Sequence, residues 1–182
     1  MKRLNDEVKA ELELIKNVDY GIKGYKVNKD FEESSMKYWK LLSPQELLES
    51  NTGICFDTAH YVSYVLDKYN LEHYSVFASG DNTMTHSFVV GVLDSDYYNN
   101  VYYIPEYSVW NMKGIHYYIG KSLDSVIRNY IIQCNNDYPK QKPMTEWNIF
   151  IDRPELEGLN SYDYQITIYD EKNTNQVYGV KN

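Results

Sequence analysis

In Thr52-Gly53-Ile54-Cys55-Phe56-Asp57-Thr58-Ala59, a cysteine follows a glycine turn and opens an amphipathic helix. Downstream, His86 enters a strand in Thr85-His86-Ser87-Phe88-Val89-Val90, and Glu106 closes another in Tyr103-Ile104-Pro105-Glu106. Thiol, imidazole and carboxylate, in that order on helix, strand and strand, are the parts of nucleophilic acyl chemistry at sulfur. A thiol attacks only as thiolate, and free cysteine is mostly protonated at neutral pH. The unpaired N–H groups of a helix N-terminus favour the anion. The same groups can hold the oxyanion of a tetrahedral intermediate. Gly53 is expected to let the backbone turn tightly and to leave room for a substrate carbonyl.

Each residue also has an ordinary reading. Cys55 could be a small buried apolar residue, His86 a packing histidine at a strand rim, and Glu106 a surface acid. The ordered set on suitable elements is what points to chemistry. In it, Cys55 is the nucleophile, His86 the base, and Glu106 the acid that fixes the imidazole tautomer.

The other histidines fit less well. His60 lies on the Cys55 helix at a spacing that turns it away from the cysteine. His73 precedes a strand and is expected to face solvent, and His116 falls in a glycine-flanked loop. Asp94 and Asp96 compete with Glu106, but they belong to a turn at the far end of the hairpin from His86. Asp57, in the first turn of the Cys55 helix, reads as a capping acid. Cys55, His60 and His86 lack the paired spacing of a zinc site, and neither a phosphate-binding loop nor a dinucleotide fingerprint is present. No cofactor or metal is expected.

Gly-x-Cys opening a helix with Ala four residues on, then a strand starting with His, then an aromatic strand ending in an acid, resembles the transglutaminase-like superfamily. That superfamily is related to papain-type proteases. The likeness covers about Leu47 to Val109. It implies Cys55 as nucleophile, His86 as base and Glu106 as orienting acid. The superfamily's usual acid is an aspartate followed by Pro and a small hydroxyl residue, whereas this chain has Pro105-Glu106-Tyr107-Ser108. Of the oxyanion donors, only the Cys55 N–H is assigned. Tyr38, Trp39 and Gln45 lack convincing spacing.

The elements that must position these residues follow from periodicity. Leu4, Val8, Leu12 and Ile15 recur at helical spacing, and Gly21 and Gly24 then break the pattern. A second helix is expected from about Asp30 to Leu42. Ser43-Pro44-Gln45-Glu46 is a helix start with N-cap, N1 proline and first-turn acid. The Cys55 helix runs to about Tyr69 with Ala59, Val62 and Leu66 on one face. Strands are expected at 74–78, 86–93, 101–104, 147–151 and 164–169, and a helix at about 122–134. Gly80-Asp81-Asn82 and Asp94-Ser95-Asp96 with Asn99-Asn100 mark turns, and the tail from Glu171 reads as frayed. The order predicts an α+β fold, papain/transglutaminase-like, with the nucleophile helix on an antiparallel sheet. The 182 residues are read as one domain with its core at about 43–110.

Composition bounds the setting. The 43% apolar and 24% charged fractions are those of an ordinary soluble globular protein. A formal charge of −8 without a basic cluster argues against a nucleic-acid partner. No apolar run approaches membrane-spanning length, and no signal peptide is recognised, so a cytoplasmic location is expected. Two cysteines are too few for a disulfide framework, and a Cys55–Cys134 bridge is allowed but not required. Twenty tyrosines fit an AT-rich coding bias better than a tyrosine-lined binding surface.

These readings lead to a cysteine-dependent peptidase, amidase or transglutaminase-type acyl transferase acting through a thioester on a protein or peptide substrate. The alternative is a catalytically silent domain of the same fold that binds a protein partner. Acyl transfer to an arylamine ranks lower, because an Arg-Gly-Gly-rich lead-in to the cysteine is absent.

Overall fold

The computed structural model describes residues 4–22, 33–80, 84–94, 100–170 and 174–179, of which 33–35, 94, 110 and 174–179 are described as backbone alone. Along the chain lie α1 (Asp6–Leu12), β1 (Asp19–Tyr20), α2 (Pro44–Ser50), β2 (Thr52–Gly53), α3 (Cys55–Lys68), β3 (His73–Ser79), β4 (His86–Asp94) and β5 (Val101–Glu106). These are followed by β6 (Gly114–Ile119), α4 (Leu123–Asp137), β7 (Glu146–Phe150), α5 (Ser161–Tyr169) and β8 (Thr174–Gly179). The fold is α+β.

The main sheet has six strands in the order β6-β5-β4-β3-β7-β8. Every neighbouring pair in it is antiparallel. Its central strands are apolar on both faces, so the sheet is covered on both sides. Val76, Ala78, Phe88, Val90 and Ile104 pack against Val126, Ile127, Tyr130 and Ile131 of α4. On the other face Val89 and Tyr103 meet Val62 and Leu66 of α3 and Leu12 of α1. A third cluster joins Phe77 and Phe150 to Phe56, Trp39 and Tyr164. Among the described residues, no helix is long and apolar enough to cross a membrane.

Local chemistry explains the helix starts nearest the site. Ser43 Oγ accepts from the Glu46 N–H at 3.3 Å, Glu46 Oε2 accepts from the Ser43 N–H at 3.1 Å, and Pro44 occupies N1. The helix ends at Asn51 in the left-handed region, with φ 48°.

Several expected elements differ. The helix expected from Asp30 is a 3₁₀ segment, Glu33–Tyr38, and 30–32 lie outside the described residues. Residues 164–169, expected as a strand, belong to α5: Asn160 caps it at 3.0 Å from the Asp163 N–H, and Tyr164 and Ile168 bury one edge. The β-branched and aromatic residues there suit a strand, but the cap and the four-residue spacing prevail. His116 sits in β6 rather than a loop. The tail from Glu171 was expected to fray, yet Thr174–Gly179 pairs with β7. Gly24, Asp81-Asn82, Ser95-Asp96 and Asn99 lie outside the described residues.

Candidate active site

Cys55 is the first residue of α3 and is 4% exposed. The first intrahelical bond runs from the Thr58 N–H to the Ile54 carbonyl. The N–H groups of Cys55 and Phe56 therefore head the helix without intrahelical acceptors. The Ile54 N–H is taken by Asp57 Oδ2 at 2.8 Å. Asp57 also accepts from the Leu42 N–H at 3.0 Å and the Trp39 indole N–H at 3.0 Å. This buried carboxylate fastens the lead-in of α2 to the start of α3. Burial pushes its pKa up to about 6, against the pull of these donors. Because the Trp39 indole is spent on Asp57, and Gln45 donates to Glu49 at 2.7 Å on the surface, neither is placed as an oxyanion donor.

Gly53 serves packing rather than the substrate. A Cβ there would stand 2.5 Å from Leu47 Cδ1 and 3.0 Å from Asp57 Cβ. The space expected for a carbonyl is filled by the neighbouring helix.

His86 opens β4 and Glu106 closes β5, so in an antiparallel pair they lie at the same end. The β4–β5 pairing runs from Asp94–Val101 to Gly91–Tyr103, whereas β5–β6 pairing continues to Glu106–Gly114. Pro105, lacking an N–H, therefore falls where β5 no longer pairs with β4. Beyond that point side chains connect the two strands. His86 Nε2 lies 3.1 Å from Glu106 Oε2. Glu106 Oε1 accepts from the Ser108 N–H at 2.6 Å, the Ser108 hydroxyl at 2.7 Å and the Val109 N–H at 2.9 Å. The Tyr130 hydroxyl of α4 donates to Glu106 Oε2 and stands 3.4 Å from His86 Nε2. The Phe88 ring stacks on His86 at 5.6 Å and contacts Tyr130 at 4.5 Å, which limits the imidazole's rotation.

His86 and Cys55 line the same cavity, and the thiol is among the groups that favour the imidazolium. With Nε2 committed to Glu106, the nitrogen left for the sulfur is Nδ1. Burial works against the imidazolium, but Cys55, the bond to Glu106 and the Glu106 charge outweigh it and hold His86 well above its ordinary pKa. Burial would likewise raise Glu106, yet the His86 bond and charge, with Tyr130 and Ser108, bring it down to about 2. Cys55, His86 and Ser108 face a cavity of about 1280 Å³. An imidazole oriented by a carboxylate and facing the same cavity as a thiol at a helix start can pass a proton between sulfur and a leaving group.

A family model described as a transglutaminase-like domain matches residues 3–130, from the lead-in of α1 into α4. The chain belongs to the transglutaminase-like domain family. The match reaches well beyond the 47–109 stretch that carries the likeness in sequence. No curated protein matches the chain.

The remaining histidines of this transglutaminase-like chain have structural partners. His60 Nδ1 meets Asp152 at 2.9 Å and Nε2 meets Glu157 at 3.0 Å. His73, expected to face solvent, is bonded to Ser63 at 2.9 Å and to the Leu71 carbonyl at 2.9 Å. His116 donates to the Met112 carbonyl at 2.6 Å. Asp94 ends β4 at the far end from His86, and Asp96 lies outside the described residues. Cys55 and Cys134 are both free thiols. Among the described residues, no group of three or more His, Cys, Asp or Glu side chains could hold a metal ion.

Sequence reasoning missed Tyr130, which falls inside the helix expected at about 122–134, and Ser108 as a donor to the acid. A hydroxyl-tipped ring amid the apolar positions of α4 was the available signal for Tyr130. For Ser108 it was the placement of a small hydroxyl residue two positions after the acid.

Proposed function

We propose that this chain is a cysteine-nucleophile amide-processing enzyme in which Cys55, His86 and Glu106 act together. The observation that carries this reading is His86, held by Glu106 at 3.1 Å, lining the same large cavity as Cys55 at the head of α3. Membership of a family that includes cysteine-dependent enzymes supports it.

In this mechanism the Cys55 thiolate attacks the carbonyl carbon of a carboxamide or peptide bond. The carbonyl electron pair moves to oxygen, and the Cys55 N–H at the head of α3 holds the resulting oxyanion. The intermediate collapses with cleavage of the C–N bond. His86 gives its Nδ1 proton to the departing amine, leaving a thioester on Cys55. Water, deprotonated by His86, then releases the acid. An amine in its place would give transfer, and hydrolysis is favoured because no amine-holding element stands out around the sulfur among the described residues. Glu106 stays ionised throughout, keeping the tautomer and countering the imidazolium.

The glutamate in place of the superfamily's usual aspartate does not favour a silent domain, because Glu106 engages His86, Tyr130, Ser108 and Val109. The tyrosines point neither way, since Tyr20, Tyr38, Tyr64, Tyr162 and Tyr169 are exposed, whereas Tyr61, Tyr103, Tyr107, Tyr130 and Tyr164 are core residues.

The test is reaction with p-nitrophenyl acetate, reading the p-nitrophenolate burst together with the mass of the Cys55 peptide. One acetyl group on Cys55, lost in Cys55→Ala, is expected. A fluorescent primary amine in the same reaction separates transfer from hydrolysis. An undiminished burst in Cys55→Ala would sink the assignment.

A further inference from the structure

Tyr20 is brought to the nucleophile by a feature that local sequence patterning does not show. The two-residue strands β1 and β2 pair in parallel, with Tyr20 opposite Gly53, two residues before Cys55. The ladder is held at both ends, by the Asp19 N–H to the Asn51 carbonyl and the Gly21 N–H to the Gly53 carbonyl, each at 3.0 Å. A segment far upstream in sequence is thereby clamped to the lead-in of α3. The Tyr20 ring is 50% exposed and lines the same cavity as Cys55 and His86, and the nearby Cys55 thiol is among the groups that raise its pKa.

We infer that the Tyr20 hydroxyl is the side-chain donor to the oxyanion formed when Cys55 attacks a carbonyl. This rests on the cysteine-nucleophile reading above. At rest the Tyr20 ring shares the cavity with Cys55. When the S–C bond forms, the sulfur gives up its negative charge and the former carbonyl oxygen, two bonds away, acquires it. A donor already near the sulfur needs only a small ring movement to follow the charge, and the exposed flank of the ring leaves space for it. The O–H donates a hydrogen bond and keeps its proton, so the proton to the leaving amine still comes from His86. Burial of the hydroxyl, reinforced by the neighbouring Cys55 charge, raises the Tyr20 pKa well above its ordinary value, which suits a permanent donor. Together with the Cys55 N–H it makes a two-donor oxyanion site.

Two reactions at the same sulfur test this. Iodoacetamide alkylates by direct displacement and forms no oxyanion, whereas p-nitrophenyl acetate acylates through one. In Tyr20→Phe the acylation rate constant is expected to fall about 100-fold, the loss typical of one missing oxyanion donor. Alkylation should stay within about threefold of wild type, since no oxyanion is involved. The melting transition should fall by no more than the loss of one hydrogen bond allows, because the ring and its strand pairing are kept. Equal losses in both reactions would mean that Tyr20 holds the thiolate or the local fold, and would overturn the inference, as would no loss in either. A wild-type protein that alkylates at Cys55 but never acylates would instead refute the enzyme reading itself.

Discussion

Glu106 holds His86 by one carboxylate oxygen and is itself held by the other. Oε2 meets His86 Nε2 at 3.1 Å, while Oε1 is fixed by Ser108 and Val109 at 2.6–2.9 Å. The extra methylene of glutamate relative to aspartate is accommodated by this turn, in which the chain folds back and donates to its own acid. An acid with so many donors is rigid, and a rigid acid fixes the imidazole facing the thiol.

Glu106→Gln keeps the shape and removes the charge. Acylation of Cys55 is expected to drop by about 10²-fold or more, because the imidazolium loses its counter-charge. Stability should change in a defined pH window. The folded pKa of about 2 lies below the ordinary 4.5, so wild type has this stabilisation in full above 4.5 and loses it as pH falls through 2. Acid unfolding followed by circular dichroism should show that loss in wild type and not in Glu106→Gln.

His86 should govern the acid side of Cys55 reactivity. In a Cys134→Ala background, alkylation by iodoacetamide is expected to persist well below the pH at which a free thiol stops reacting. In His86→Ala it should follow the free-thiol profile, since the partner that holds a proton beside the sulfur is gone. Identical profiles for the two proteins would remove the thiolate–imidazolium pair from the account.

Tyr130→Phe deletes a donor from Glu106 without altering the ring packing on Phe88. A hydrogen bond to a charged acceptor contributes about 1.5–3 kcal/mol, so urea unfolding should report a loss of that order. The Glu106 pKa should rise from about 2 toward its ordinary value, readable by NMR titration of the side-chain carboxyl. A loss of stability with Glu106 unmoved would limit Tyr130 to packing.

Gly53→Ala places a methyl 2.5 Å from Leu47 Cδ1. Overpacking of this kind costs about 1–3 kcal/mol. Leu47→Ala is destabilising on its own, yet the double variant should be more stable than the two single losses added together. A double-mutant cycle in urea measures that coupling, and additivity would mean the backbone shifts freely at Gly53.

His60 ties α3 to the C-terminal segment through Asp152 and Glu157. Burial lowers its pKa, but these two carboxylates prevail and raise it from 6.5 to about 9. A raised pKa stabilises fully below 6.5, and the effect is lost as pH rises through 9. Wild type should therefore lose stability over that interval in urea titrations, and His60→Gln, already less stable, should lose less.

Local sequence determined a good deal of this protein. The capping box at Ser43, the apolar stripe of α3, and the strands bearing His86 and Glu106 depend on neighbours a few residues away, so spacing reveals them. The site candidates Cys55, His86 and Glu106 were legible for the same reason, since each sits at the end of an element with a local signature. Tertiary structure alone decided what surrounds them. Tyr130 reaches Glu106 across 24 residues, and Asp57 gathers Trp39 and Leu42 from 18 and 15 residues away. The Tyr20–Gly53 pairing rests on strands only two residues long, too short for any periodicity. Gly53 reads locally as space for a substrate, whereas Leu47 occupies that space. Periodicity encodes which face of an element is buried, whereas the partner that meets that face is set by the packing of the whole chain.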